Sequence, residues 1–280
     1  MPLRQVEKTL AQRASGRLVL RFNYDPISGT TRVANFFQEG CLKARLPRSQ
    51  ITGVAEAVTL NISGGVAGGD KLATHIALGE RAKLCIASQS AEKVYRALDA
   101  VPSEIATSID VGPGALLDYL PQEAIVFNGF ALRRRLDIDL AEDAVFLGVE
   151  SMIFGRQACG ESVVAGSLND VVSLRRAGNL LMQDTTRLDG HIAAILGRKA
   201  VADGNIAVAN IMYAAEDAPI YLSAVRAILS GAGCLAGASV VNGVLRARLL
   251  AADAASLRQA VMAVLKLSRN NRPLPRVWQG

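Results

Sequence analysis

The 280-residue chain is expected to be mainly β: a β-rich superhelical or stacked-sheet body with two or so helices near its C-terminus. Short apolar or alternating runs fill the first three quarters of the sequence, the first sign of that class. Turn signals punctuate them at close intervals, as in all-β architectures. Long amphipathic helical patterns are missing from this region and emerge only towards the end, which argues against an alternating βαβ fold.

The runs follow in order. Segments 17–22 and 30–38 flank Asp25-Pro26 and Ser28-Gly29, and 55–60, 72–78 and 83–88 come next. Segments 104–111 and 115–120 are separated by Gly112-Pro113-Gly114, and 131–140, 145–154, 162–175 and 179–187 complete the series. Asn128-Gly129 and Ala177-Gly178 have the two-residue form of tight hairpins, so the strands are expected to pair mainly antiparallel. A first helix is predicted over 219–229, behind Glu216-Asp217 and with Pro219 in its first turn. A second follows Asp253, where Leu257, Ala260, Val261, Val264 and Leu265 recur at the spacing of one buried helical face. Pro273 and Pro275 then forbid helix continuation. Trp278, the single tryptophan, is either a docking anchor or a partner contact.

A hydrophobic content of 50% with 20% charged residues excludes a disordered chain. The segment 1–280 reads as one domain, without linker, low-complexity tract or internal repeat. The net charge of +6 is spread along the chain, with one basic run, Arg133-Arg134-Arg135. On a strand, Leu132, Leu136, Ile138 and Leu140 point one way while Arg133, Arg135, Asp137 and Asp139 point the other, so the run is mostly a solvated face. With 5% aromatic residues there is little to stack on bases, and nucleic acid is not an expected partner.

The four cysteines, Cys41, Cys85, Cys159 and Cys234, show no C-x-x-C, and Cys85 and Cys159 lie in apolar strand-like runs as small buried hydrophobes. The absence of a disulfide framework favours a reducing compartment. The opening residues intersperse Arg4, Glu7, Lys8, Arg13 and Arg17 with apolar ones, leaving no h-region for a secretory signal, and a cytoplasmic protein is expected. The uncharged stretch 227–245 is rich in Gly and Ser and reads as a bend between a helix and a buried strand, not a membrane span.

The densest feature is Asn61-Ile62-Ser63-Gly64-Gly65-Val66-Ala67-Gly68-Gly69-Asp70. Two Gly-Gly pairs allow positive φ or close backbone approach, at an entropic cost that a chain carries where a particular shape is required. A P-loop reading fails because Lys71 follows Asp70 and Leu72 stands where a hydroxyl is needed. No three glycines of this segment have dinucleotide spacing. Gly231-Ala232-Gly233-Cys234-Leu235-Ala236 does match G-x-G-x-x-G/A, with Asp253 about 20 residues on, but a helix precedes it and a strand follows, the reverse of the dinucleotide arrangement. A nucleotide-binding enzyme using 231–236 is therefore the weak alternative.

Catalytic signals are sparse. His75 sits on a strand-like run and His191 on a turn, each readable as a surface or satisfied histidine, and G-x-S-x-G is absent. Asp70, Glu92, Glu123 and Glu150 lie within apolar or glycine-rich segments, where a charge must be paired, hydrated or metal-bound. Ion pairing with Lys71, Lys93, Arg96 or Arg156 is one reading. Oxygen ligands without a histidine or thiolate cluster fit passage of a soft or borderline metal ion better than its storage.

Gly64 to Asp70, then Gln89-Ser90-Ala91-Glu92-Lys93-Val94-Tyr95-Arg96, then Tyr119-Leu120-Pro121-Gln122-Glu123 closely resemble the urease accessory protein family UreD, also called UreH. The similarity continues through Arg133-Arg134-Arg135, Phe146 to Glu150, Gly155-Arg156, Gly160-Glu161 and Pro275-Arg276-Val277-Trp278. The resemblance implies a non-enzymatic scaffold in nickel delivery that binds apo-urease subunits and UreF, and through UreF the GTPase UreG. It implies no tightly bound cofactor, only Ni²⁺ in transit through an internal, water-filled passage. Asp70, Glu123 and Glu150 are carried over as acids of that route. Gly64, Gly65, Gly68, Gly69, Gln89, Glu92, Lys93, Tyr95 and Gln122 are carried over as residues that shape it. Ile62-Ser63 replaces a common proline and Ala87-Ser88 the usual threonines, changes expected to act locally. A β-rich interaction module without an ion path is the alternative within the same scaffold.

Overall fold

The computed structural model describes residues 13–279. Arg4, Glu7 and Lys8, on which the reading of the opening segment rests, lie outside them. β1 (Ser15–Asp25) and β2 (Thr30–Gly40) form a hairpin in a first sheet, and β3 (Leu42–Arg45) and β4 (Ala55–Asn61) begin a second. The chain then alternates. β5 (Lys71–Leu78) joins the first sheet and β6 (Lys83–Ser88) the second, followed by the short β7 (Glu92–Val94). β8 (Ser103–Val111) returns to the first and β9 (Leu116–Leu120) to the second, with β10 (Ala124–Val126) bridging β7 and β12. β11 (Phe130–Leu140) and β12 (Val145–Phe154) repeat the step, and β13 (Gly166–Arg176) and β14 (Asn179–Gly190) close the first sheet. After α1 (Ile192–Leu196), β15 (Ala207–Ala214), β16 (Leu235–Val241) and β17 (Val244–Ala251) extend the second, which α2 (Leu222–Ser230) and α3 (Ala254–Ser268) cover.

The superhelical, stacked-sheet expectation holds, but the pairing is not mainly antiparallel. β1, β5, β8, β11 and β13 run parallel along the first sheet, and β4, β6, β9 and β12 along the second. Turns carry the chain across to the opposite sheet, so consecutive strands become facing layers while every second strand becomes a lateral neighbour. Ala177-Gly178 is a true hairpin, with both residues at positive φ. Asn128-Gly129 is instead a corner between β10 and β11, where the Asn128 side chain accepts from the amides of Val164 and Ala165 at 2.9 and 3.0 Å. The segment 227–245 also differs from a simple bend: it holds the end of α2, β16, and the Asn242-Gly243 hairpin into β17.

Two cores result. Inward rows of the two sheets make one, and the outer face of the second sheet packs against α2, α3 and Trp278 to make the other. β12 is therefore buried on both faces, which explains its almost unbroken apolar run. α3 starts at Asp253, whose carboxylate accepts from the Ser256 amide at 2.8 Å, and its predicted stripe is fully buried. Each Leu or Val of that stripe contributes about 1.5–3 kcal/mol on burial. At its far end Arg269 Nε lies 3.1 Å from Asp118 Oδ2 on β9, both almost wholly enclosed, an ion pair without an aligned hydrogen bond. Among the described residues no helix is long and apolar enough to cross a membrane. Cys85 is buried as expected, whereas Cys159 is exposed on a 3-10 turn (Gln157–Cys159) outside any strand.

Candidate functional site

Side chains alternate along a strand, and on each of β11, β12 and β13 a charged residue interrupts an otherwise apolar inward row. On β11, Arg134 falls between Leu132 and Leu136. On β12, Glu150 precedes Met152, and on β13, Asp170 falls between Leu168 and Val172; the apolar neighbours all belong to the inter-sheet core. Arg134 and Asp170 are lateral partners in the parallel β11–β13 ladder. The guanidinium donates through Nε and Nη2 to the two Asp170 oxygens at 2.9 and 2.6 Å, and its Nη1 lies 2.6 Å from Glu150 Oε2 on the facing sheet. Burial pushes the Glu150 carboxyl up to about 7, Arg134 pulling it back and Asp170 adding to the rise. One guanidinium faces two carboxylates, so with both ionised the group carries one excess negative charge. A proton on Glu150 removes that excess.

Arg134 is thus the inward member of an arginine run that is otherwise the solvated face expected of it. Arg133 and Arg135 point outward, while Arg134 is only 14% exposed.

A cavity of about 250 Å³ opens between the sheets beside this group, walled by Asn61, Glu92, Thr107, Tyr119, Gln122 and Glu150 among others. A second, about 150 Å³, lies on the other side of the β11–β12 column, against β13, β14, β15 and β17. Arg134 and Glu150 belong to the walls of both.

The glycine segment and the Gln89–Arg96 segment form one assembly at the edge of the larger cavity. The Val66 amide donates to the Lys93 carbonyl and the Tyr95 amide to the Val66 carbonyl, each at 2.8 Å. The Tyr95 hydroxyl donates to the Gly64 carbonyl at 2.9 Å. Gly65 sits at φ +141°, and a Cβ there would stand 2.5 Å from the Tyr95 ring and 2.6 Å from the Lys93 carbonyl oxygen. At Gly68 a Cβ would meet the Val101 carbonyl oxygen at 2.6 Å. Gly65 is thus required both for conformation and for close approach, and Gly68 for close approach. Asn61 Nδ2 donates to Glu92 Oε1 at 3.1 Å and to the Gly65 carbonyl at 3.2 Å. Burial raises the Glu92 carboxyl to about 7 against that hydrogen bond.

The family model for the UreD urease accessory protein matches residues 14–279. The urease accessory protein UreD of Rhizobium johnstonii is 42% identical over 270 residues, covering 96% of this chain and 97% of that protein. Those of a Methylobacterium species and Xanthobacter autotrophicus are 43% and 44% identical, covering 96% and 97% of this chain and 95% and 92% of theirs. The chain belongs to the UreD family.

The UreD motif residues divide between cavity wall and framework. Gly64, Gly65, Gln89, Glu92, Lys93, Gln122 and Glu150 line the larger cavity. Asp70, Glu123, Gly68, Gly69 and Tyr95 are not in that wall. Asp70 is buried, and its two oxygens accept from the amides of Ala14 and Ala67 at 2.7 and 2.8 Å. Glu123 lies 3.4 Å from Arg258 on α3. Gln122 accepts from Arg258 at 2.6 Å and donates to the Val277 carbonyl at 2.8 Å, tying the third motif to the closing segment. Trp278 is a docking anchor, buried, with its indole donating to the Leu120 carbonyl at 2.9 Å. Of the two local departures, Ser88 accepts from the Gln122 amide at 2.7 Å and Ser63 donates to Asn61 at 2.6 Å.

Outside the cavity, His75 faces outward on β5, 2.9 Å from Ser108 Oγ and 3.6 Å from Asp110, the satisfied role read from its sequence. The 231–236 glycines leave α2 and enter β16, opposite to the order that directs a helix N-terminus at a pyrophosphate. Arg134 and Asp170 were not singled out as site residues, although the alternation of their apolar neighbours marks both as inward-facing. Asn61 gave no signal beyond its place before the glycines.

Proposed function

We propose that this UreD-family chain is a non-catalytic scaffold of urease maturation in the cytoplasm. It holds apo-urease subunits and UreF, with UreG engaged through UreF, and Ni²⁺ in transit passes through the space between the two sheets. The observation that carries the passage is the pair of partly enclosed carboxyls, Glu92 and Glu150, facing one inter-sheet cavity. Ni²⁺ favours nitrogen and thiolate donors over carboxylates, so two acids with cavity water hold it weakly and release it onward. Asp70 and Glu123, whose oxygens are engaged elsewhere, serve in this reading as framework beside the route.

Urease matured with Glu92→Gln/Glu150→Gln protein tests the passage. Nickel content of the urease should fall several-fold while UreF and urease still co-purify with the variant. Full nickel content would leave an interaction module with no ion path. Saturable nucleotide binding by the intact chain would revive the 231–236 alternative.

A further inference from the structure

The two inter-sheet cavities meet at the column where Arg134 and Glu150 contribute to both walls. Resting on the passage reading above, we propose that Arg134 is a displaceable plug. Its guanidinium closes the way between the cavities by occupying Glu150 and Asp170, and a divalent cation goes through by taking its place on those oxygens.

Three features of the group support this. First, the guanidinium is tethered to β11 while its nitrogens spend their reach on two carboxylates from different strands, Asp170 beside it and Glu150 across the gap. Those oxygens are hard anionic donors of the kind a divalent ion accepts, and each faces an open volume as well as the arginine. Second, with both carboxylates ionised the tethered arginine leaves one negative charge uncompensated in a low-dielectric interior, which attracts an entering cation; the displaced guanidinium stays nearby, so a divalent ion there brings the group to one excess positive charge and is not retained. Third, cavities lie on both sides of the column, so the head group has space to swing aside without breaking either sheet.

The exchange also gives a direction for selectivity. An arginine cannot lose its proton at ordinary pH, so the plug is not released by titration of its own side chain. It is released by competition for its carboxylates.

The test uses the full-length chain and Ni²⁺ alone, followed by calorimetry and by thermal melting with and without the ion. Arg134→Gln should gain one Ni²⁺ site per chain, at least ten-fold tighter than any interior binding by the unaltered protein. That site should vanish in Arg134→Gln/Glu150→Gln. Ni²⁺ should raise the melting temperature of the single variant and not of the double, so a weakened fold still reports. The proposal is overturned if Arg134→Gln shows neither added binding nor a Ni²⁺-dependent rise in melting, or if the gain persists without Glu150. Urease maturation separates the two readings. A gained site in Arg134→Gln together with normally loaded urease from Glu150→Gln protein removes the passage and keeps the plug chemistry. Poorly loaded urease from Glu150→Gln with no gained site in Arg134→Gln removes the plug alone.

Discussion

The carboxylate of Asp70 holds the amide of Ala14, fifty-six positions earlier in the chain, at 2.7 Å and that of Ala67 at 2.8 Å. Parallel pairing of β1 with β5 begins at the next residues, Ser15 opposite Lys71. Asp70 is therefore the latch that brings the first strand into register at the end of the glycine segment. Hydrogen bonds to an ionised acceptor contribute about 1.5–3 kcal/mol each. Asp70→Ala should destabilise the chain by roughly 2–4 kcal/mol, because two buried amides lose their acceptor. Urea denaturation measures that loss. Nickel loading of urease per folded chain should stay near normal, and a large drop would return Asp70 to the ion route.

Gly64 and Gly65 look alike in sequence and differ in what surrounds them. Gly64 is at φ +80° with open space where a Cβ would go, whereas Gly65 at φ +141° is walled by the Tyr95 ring and the Lys93 carbonyl. Gly64→Ala carries only the left-handed cost of about 1–2 kcal/mol. Gly65→Ala adds a steric conflict with backbone to a conformation that glycine alone adopts readily, and should cost about 3 kcal/mol or more. Thermal melting of the two variants compares them directly. Equal losses would mean that the close packing of the two motifs is not what demands glycine at 65.

That difference illustrates what the sequence conveys and what it withholds. Runs, turns and the Leu257–Leu265 stripe are local and marked the strands and α3 directly. Parallel pairing was hidden because a short turn looks the same whether it returns beside its own strand or crosses to a facing sheet; Asn128-Gly129 and Ala177-Gly178 are such a pair. The acids at 92 and 150 stood out as charges in apolar surroundings. Arg134 was passed over between Arg133 and Arg135, whose outward parity characterised the run, although its own parity with Leu132 and Leu136 places it inward. Asp170 acquires meaning only from its register with Arg134, a relationship between strands that no single segment records.

Glu92 gives a signed pH effect. Its carboxyl moves from an ordinary 4.5 to about 7 on folding, burial being the main cause and the Asn61 hydrogen bond opposing it. Between those values the folded chain holds a proton that the unfolded chain has released, so this contribution to stability is full below about 4.5, declines as pH rises to about 7, and then levels off. Glu92→Gln removes the titration and keeps an oxygen for Asn61. Relative to the unaltered protein it should be near neutral at pH 5 and more stable by roughly 1–3 kcal/mol at pH 8, taking about 1.4 kcal/mol per pH unit and allowing for partial solvation. Urea midpoints at the two pH values test this, and an offset that does not change with pH would contradict it.

The closing segment reaches the cavity through a chain of contacts. Trp278 is anchored by its indole on the Leu120 carbonyl, Arg258 lies 4.8 Å over its ring, and the neighbouring Val277 carbonyl holds the side chain of Gln122, a cavity-wall residue. Trp278→Ala removes the ring and leaves the Leu120 carbonyl without its donor, at a cost of about 3–5 kcal/mol. Trp278→Phe keeps most of the packing and forfeits the hydrogen bond, at a cost of about 1 kcal/mol. If the tail does no more than stabilise, nickel loading of urease should follow the folded fraction in both variants. Because Gln122 loses its Val277 acceptor when the tail detaches and keeps only Arg258, Trp278→Ala should instead depress loading further than its folded fraction accounts for, while Trp278→Phe should not. Chemical denaturation alongside nickel analysis of the matured urease resolves the two, and loading proportional to folded protein in both variants would confine Trp278 to stability.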